Sequence, residues 1–217
     1  RKKIRSNPQP MWLLVRDNKW DDIVLIHSNK NSNLIGMTFT EIGRSRGMDP
    51  YDAAFELLIE EGEDMGSLLW SSKAFRDEDI IMCLQQPECA VISDTTALAP
   101  YGALKNNIGS ISGYGWAARF FQDYVNDKKI LTLTEAIRRI SSLPAERLGL
   151  IKRGQLKKTF YADICVFDPQ KIKNNCDLKN LKTYPSGIEH VLVNGIFAVK
   201  NGSRTEFDGG QVLRDFN

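Results

Sequence analysis

The stretch Ala90-Val91-Ile92-Ser93-Asp94-Thr95 decides how the fold is read. Its first three residues are a short apolar run of strand character. Upstream, Gly66 to Trp70 is another such run. Between the two lies a helix pattern opened by Asp77-Glu78-Asp79, with Ile80, Cys83 and Leu84 facing inward. Strand, helix, strand is the order of a parallel sheet with helical crossovers. Downstream, Ser93-Asp94 opens a stretch to Gly115 that holds Pro100, Gly102, Asn106, Asn107, Gly109 and Gly113, longer than most connections in compact domains. Long ordered loops of this kind are usually functional. In parallel α/β proteins functional groups sit at the carboxyl ends of strands, which is where Asp94 falls. A carboxylate there can bind a metal, take a proton from a metal-bound water, or both. Asp is also a common turn residue and helix cap, so position alone leaves both readings open.

Toward the N-terminus, Asp22 to His27 reads as a strand. Thr38-Phe39-Thr40-Glu41 has capping-box spacing and predicts a short helix that Gly47 ends. Asp49-Pro50 supplies an N-cap and a first-turn proline. Tyr51, Ala54, Phe55 and Leu58 recur on one helical face, and Gly62 stops that helix. Toward the C-terminus, Trp116 to Val125 is aromatic and helix-compatible. Thr132-x-x-Glu135 opens a helix with Leu133, Ala136, Ile137 and Ile140 on one face, and Pro144 to Leu148 makes a final turn. The pattern changes near Lys152. From there the segments are strand-like: Ala162 to Phe167, Val191 to Val193, and Ile196 to Val199 after Asn194-Gly195. Asn-Gly between apolar runs is the strongest short-range hairpin signal, because both residues tolerate positive φ.

Composition limits the function classes. The 217 residues are 42% hydrophobic and 26% charged, which excludes collagenous and disordered classes. No apolar run approaches the roughly 18 residues of a membrane helix. Twenty-nine Lys+Arg against 27 Asp+Glu give a formal charge of +2, too small to mark a partner among nucleic acids or anionic membranes. The four cysteines lie singly, without a C-x-x-C pair, and read as residues of a reducing, cytoplasmic compartment. Cys83 and Cys89 read as core residues. With only His27 and His190, the chain cannot assemble a site of several imidazoles by itself. His27 reads as structural or surface, and His190 as solvent-facing or packed. Arg138-Arg139, Lys152-Arg153 and Lys157-Lys158 read as solvated faces. Arg1 opens the basic run RKKIRSNPQP, which lacks the apolar stretch of a signal peptide and looks like a cut edge.

A set of motifs in fixed order adds to this. ISDTTALAP (92–100), GYGWAARFFQDYV (113–125), LTLTEAIRRISSLPAERLGLIKRGQL (131–156), YADICVFDP (161–169), GIEHVLVNGIFAVKNG (187–202) and GGQVLR (209–214) resemble the C-terminal part of the N-acyl-D-amino-acid deacylases, the D-aminoacylase branch of the amidohydrolase superfamily. The resemblance runs from about Leu34 to the C-terminus. It implies an α/β fold: the last part of a metal-bearing TIM (β/α)8 barrel followed by strands of a small β-sandwich. Residues 1–66 would be an insertion or lead-in near the barrel mouth, 67–151 the last barrel strands and helices, and 152–217 the C-terminal sandwich strands. It also implies that Asp94 orients and deprotonates a hydrolytic water at zinc and passes the proton to the departing amine.

The family's His-x-His pair, its Cys or Lys ligand and two further His are not found in this sequence. The resemblance therefore implies a C-terminal fragment of a zinc enzyme, inactive alone, whose partner is the N-terminal portion of the same protein. Thr95, Ser112 and Tyr114 are the candidate substrate-pocket residues, and Asp94 is the one candidate metal ligand. Many members carry a His-Pro-Arg where Ser110-Ile111-Ser112 stands here, so recognition of a substrate carboxylate by that arginine is not expected. A family glycine before the Tyr161-Ala162-Asp163 strand is replaced by Thr159, which alters a turn. The expected reaction is hydrolysis of the linear amide of an N-acyl-D-amino acid. The alternatives are a related hydrolase of cyclic amides and a non-catalytic α/β domain in which Asp94 only anchors a loop.

Overall fold

In the computed structural model, residues 17–73, 75–95, 99–103, 105, 110–178 and 180–213 are described. The basic lead and much of the loop after Thr95 lie outside them. The chain divides into two compact units, residues up to 77 and residues from 78.

In the first unit a 3-10 turn at Trp20–Asp22 leads into β1 (Ile23–His27), and α1 (Phe39–Arg46), α2 (Pro50–Glu61) and β2 (Leu69–Ser72) follow. The predicted caps are formed. The Thr38 Oγ1 accepts from the Glu41 amide at 3.2 Å while Glu41 Oε2 accepts from the Thr38 amide at 2.8 Å. Asp49 accepts from the Tyr51 amide at 2.9 Å, with Pro50 in the first turn of α2. Such caps satisfy amides that the helix leaves without partners. The core gathers Trp20, Ile23, Leu25, Leu34, Phe39, Ile42, Tyr51, Ala53, Leu57 and Leu68, with Tyr51 edge-on to Trp20 at 6.0 Å. The buried stripe of α2 is Tyr51, Ala53, Leu57 and Glu61, whereas Ala54, Phe55 and Leu58 pack at its margin. The expected face is thus rotated toward Glu61, which hydrogen bonds make burial possible for.

The apolar run after Gly66 forms β2, which pairs antiparallel with β1 rather than parallel, Leu25 opposite Trp70. Ala90 to Ile92, expected as a strand, joins no ladder among the described residues.

In the second unit the helices are α3 (Asp77–Leu84, opening at the division), α4 (Ile111–Phe121), α5 (Leu133–Ile140) and α6 (Ser142–Arg147). The expected loop to Gly115 stops at Ser110, since α4 takes in Gly113 and Gly115. Gly115 is needed for close approach: a Cβ there would stand 1.9 Å from Asn174 Oδ1. α4 continues as a π turn over Gln122–Asp127, after which the Tyr124 carbonyl accepts from both Ile130 and Leu131 amides. Asn126 Nδ2 donates to the Pro169 carbonyl at 2.7 Å. Leu84, Ala118, Phe120, Phe121, Leu131, Ala136 and Ile172 make the core, and Cys89 and Val91 pack against it. Cys83, expected inside, is exposed, because α3 turns Leu84 and Ile80 inward instead.

Beyond Lys152 the chain forms a four-stranded antiparallel sheet, β3 (Ile164–Phe167), β4 (Ile188–Val193), β5 (Ile196–Lys200) and β6 (Ser203–Arg204), in that order. The predicted hairpin is present, with φ of 50° at Asn194 and 81° at Gly195. Arg153, expected in solvent, is 11% exposed in its side chain and pairs with Asp163. It also donates to Asn194 Oδ1 at 2.7 Å and stacks 4.1 Å from the Tyr161 ring centroid. Thr159 occupies its turn at φ 73°. No helix among the described residues is long and apolar enough to cross a membrane.

Candidate active site

Cys89 to Thr95 belongs to no helix and no strand ladder. Its direction is set from α5, where the Arg139 carbonyl accepts from the Val91 amide at 3.0 Å. The segment ends at Asp94, which is exposed and left-handed, with φ 44°. A left-handed residue other than glycine is uncommon, and Asp and Asn are the side chains that tolerate it best.

Thr95 turns back into hydroxyl contacts. Its Oγ1 lies 2.9 Å from Ser110 Oγ, which lies 3.1 Å from Ser112 Oγ, so three hydroxyls form one hydrogen-bonded row at the start of α4. Ser110 is the hub, and the sequence reading passed over it. The available signal was a Ser at the N-cap of a helix, yet its hydroxyl makes no cap bond and serves the neighbouring hydroxyls instead. Tyr114 lies two residues beyond Ser112 on α4, its ring against Tyr184 at 5.1 Å between centroids. Its hydroxyl is buried without a hydrogen-bond partner among the described residues. Burial, and then the nearby Tyr184 and Tyr101, push its phenol above the ordinary tyrosine range. The structure thus joins Thr95 and Ser112 through Ser110, with Asp94 next to Thr95 in the chain, while Tyr114 packs against Tyr184.

Outside this region, His27 Nδ1 donates to the Ser67 carbonyl at 2.7 Å, and His190 Nδ1 accepts from the Asn201 amide at 3.1 Å. Both roles are structural. Among the described residues no three His, Cys, Asp or Glu side chains come together as metal donors. Zinc takes four donors in a tetrahedral set, so Asp94 and its neighbours do not by themselves fit the ion.

No family model matches the sequence. The chain is similar to the N-acyl-D-glutamate deacylase of Alcaligenes xylosoxydans xylosoxydans, 28% identical over 202 residues that cover 92% of this chain and 38% of that protein. Among solved structures it is similar to a D-aminoacylase described as defining a novel subset of amidohydrolases. There the TM-score is 0.67 at 23% identity, over 85% of this chain and 36% of that one. It is also similar to an N-acyl-D-glutamate deacylase from Bordetella bronchiseptica, complexed with zinc and a phosphonate mimic of the tetrahedral intermediate. The TM-score is 0.68 at 26% identity, over 93% of this chain and 39% of that one. The fold is that of part of an amidohydrolase. These likenesses support the D-aminoacylase family, the N-acyl-D-amino-acid deacylases. The chain spans less than two fifths of the length of these relatives.

Proposed function

We propose that this chain is the closing part of a zinc-dependent hydrolase that cleaves the linear amide of N-acyl-D-amino acids, with Asp94 as its proton-transfer group. Residues 67–151 would carry the last barrel strands and helices, 152–217 would add strands to a sandwich, and 1–66 would be an insertion near the barrel mouth. The likeness along 92% of the chain to a deacylase supports the reaction class. The observation that carries Asp94 is its exposure just beyond the segment tied to α5 at Val91, in a left-handed conformation that turns the chain at the candidate site.

Zinc belongs to the whole protein. Its ligands would come from the share of the relatives' length that this chain does not span, and the ion would supply Lewis acidity toward the amide carbonyl. The work left to this chain is proton handling. The Asp94 carboxylate accepts the proton of the attacking water and returns it to the departing amine, a transfer typically worth about 10²–10⁴-fold. Thr95, Ser112 and Tyr114 would line the substrate pocket, the hydroxyl row offering both donors and acceptors. The 217 residues alone would hydrolyse nothing.

The test is Asp94→Asn in the full-length protein. Asn keeps the shape and the tolerance of positive φ but cannot take up the proton, so turnover of N-acetyl-D-amino acids should fall by about 10²-fold or more. Circular dichroism should be unchanged. Unaltered turnover removes Asp94 from the mechanism, and turnover by the 217-residue chain with added zinc overturns the divided site.

A further inference from the structure

Arg139 was expected on a solvated face, and it is 3% exposed. A guanidinium keeps its proton, so a buried one has to be met by acceptors. Its Nε donates to Glu135 Oε1 at 2.9 Å, and its Nη1 donates to the carbonyls of Gln86 at 2.6 Å and Cys89 at 3.3 Å. Its own carbonyl takes the Val91 amide at 3.0 Å. One residue therefore holds the segment 86–91 at three points, two through its side chain and one through its backbone.

Glu135 extends the clamp. It accepts from Arg138 Nε and Nη2, both at 2.8 Å, and Arg138 Nη2 reaches on to the Pro87 carbonyl. The carbonyls of 86, 87 and 89 are thus held from one helix. The segment they belong to joins no strand ladder, so these bonds take the place that sheet pairing would have in fixing where it points. Asp94 lies three residues past Val91.

We propose that Arg139, oriented by Glu135, is a positioning residue for Asp94: it aims the unpaired segment that presents the carboxylate. The proposal rests on the reading of Asp94 given above. The planar fork reaches the carboxylate and the two carbonyls from separate nitrogens, whereas an ammonium offers its three donors from one point, so lysine is not equivalent here. A displacement of about 1 Å at a reacting group lowers turnover by about 10²-fold while binding contacts made elsewhere survive.

The experiment compares Arg139→Lys, Glu135→Gln and Asp94→Asn in the full-length protein, assayed with N-acetyl-D-amino acids well below the melting temperature. For Arg139→Lys the expected result is kcat lower by about 10- to 100-fold with KM within about threefold of the parent. Hydrogen exchange should quicken at the Val91 amide. Glu135→Gln keeps an oxygen toward Arg139 but not the charge, and should lower kcat several-fold at unchanged KM; it carries the test should Arg139→Lys not fold. A folded Arg139→Lys or Glu135→Gln with parental kcat, alongside an inactive Asp94→Asn, overturns the positioning role alone. A fully active Asp94→Asn overturns the Asp94 reading and this inference with it.

Discussion

Among the described residues each unit buries one charged side chain, and the two are satisfied in opposite senses. In the first, Glu61 is 1% exposed and accepts from the Ser28 hydroxyl, the Lys30 amide at 3.1 Å and the Ser67 hydroxyl at 3.2 Å. Burial alone would raise its carboxyl, but these donors outweigh it and hold the group below its ordinary value. The network draws the turns on both sides of α2 onto its end and stops there. In the second unit Arg139 is equally well met, yet the chain it holds runs on to an exposed carboxylate. Backbone strain divides the same way. Of seven left-handed residues other than glycine among those described, only Asn18 lies in the first unit, and the six of the second include Asp94 and Thr159. Strained backbone tends to gather where a structure does chemistry. The contrast between a buried charge whose contacts close on themselves and one whose held segment runs on to an exposed carboxylate separates scaffold from candidate site.

The largest effect that tests this contrast is Glu61→Ala. It strands two hydroxyls and an amide, and should lower the stability of the first unit by about 3 kcal/mol. Urea unfolding, with hydrogen exchange at Ile23–His27, would register it. A loss confined to a few tenths of a kcal/mol would mean that the Glu61 network is ornament and the contrast is false. Next in size is Thr159→Gly. A β-branched residue at φ 73° is an outlier that glycine relieves, so the change should stabilise the second unit by about 0.5–1 kcal/mol after glycine's greater freedom in the unfolded chain is counted. A destabilised variant would show that the threonine side chain matters more than its backbone strain.

The smallest effect concerns acid. Hydrogen bonding from Arg138, opposed by burial and aided by Arg139, holds the Glu135 carboxyl at about 2, against an ordinary 4.5. Because the folded value lies below the unfolded one, the stabilisation is complete above 4.5 and is lost as pH falls toward about 2. The gap in stability between the parent and Glu135→Gln should therefore close across that window. A gap that stays constant to pH 2 would mean that charge on Glu135 contributes nothing to the clamp.

Much of the fold was legible because it is local. Thr38 with Glu41, Asp49-Pro50 and Asn194-Gly195 act within a few residues of themselves, and each forms as its spacing predicts. The antiparallel sheet after Lys152 was legible for the same reason, being built from a hairpin. What escaped was non-local. Arg139 meets carbonyls 53 and 50 residues away, and Arg153 an amide oxygen 41 residues away, so nothing near either residue marks it as buried. The antiparallel return of β2 onto β1 and the unpaired state of Ala90 to Ile92 likewise depend on which strand lies alongside, which apolar runs do not encode. At the candidate site Asp94 was visible as a residue after an apolar run. Ser110 was hidden because its role is to join two other hydroxyls.

The π turn at Gln122–Asp127 bears on how length is read along this chain. Such a turn holds one residue more than an α-helical turn, and here it closes α4. Removing any one of those six would take away the residue that the wider turn accommodates and shorten the path from α4 to the bonds that seat the chain beyond it. Tyr124 would then leave the Ile130 and Leu131 amides, and Asn126 would leave Pro169. Chain length in this stretch therefore sets where the path between α4 and α5 is anchored, so a deletion here outweighs a change of residue type at an exposed position.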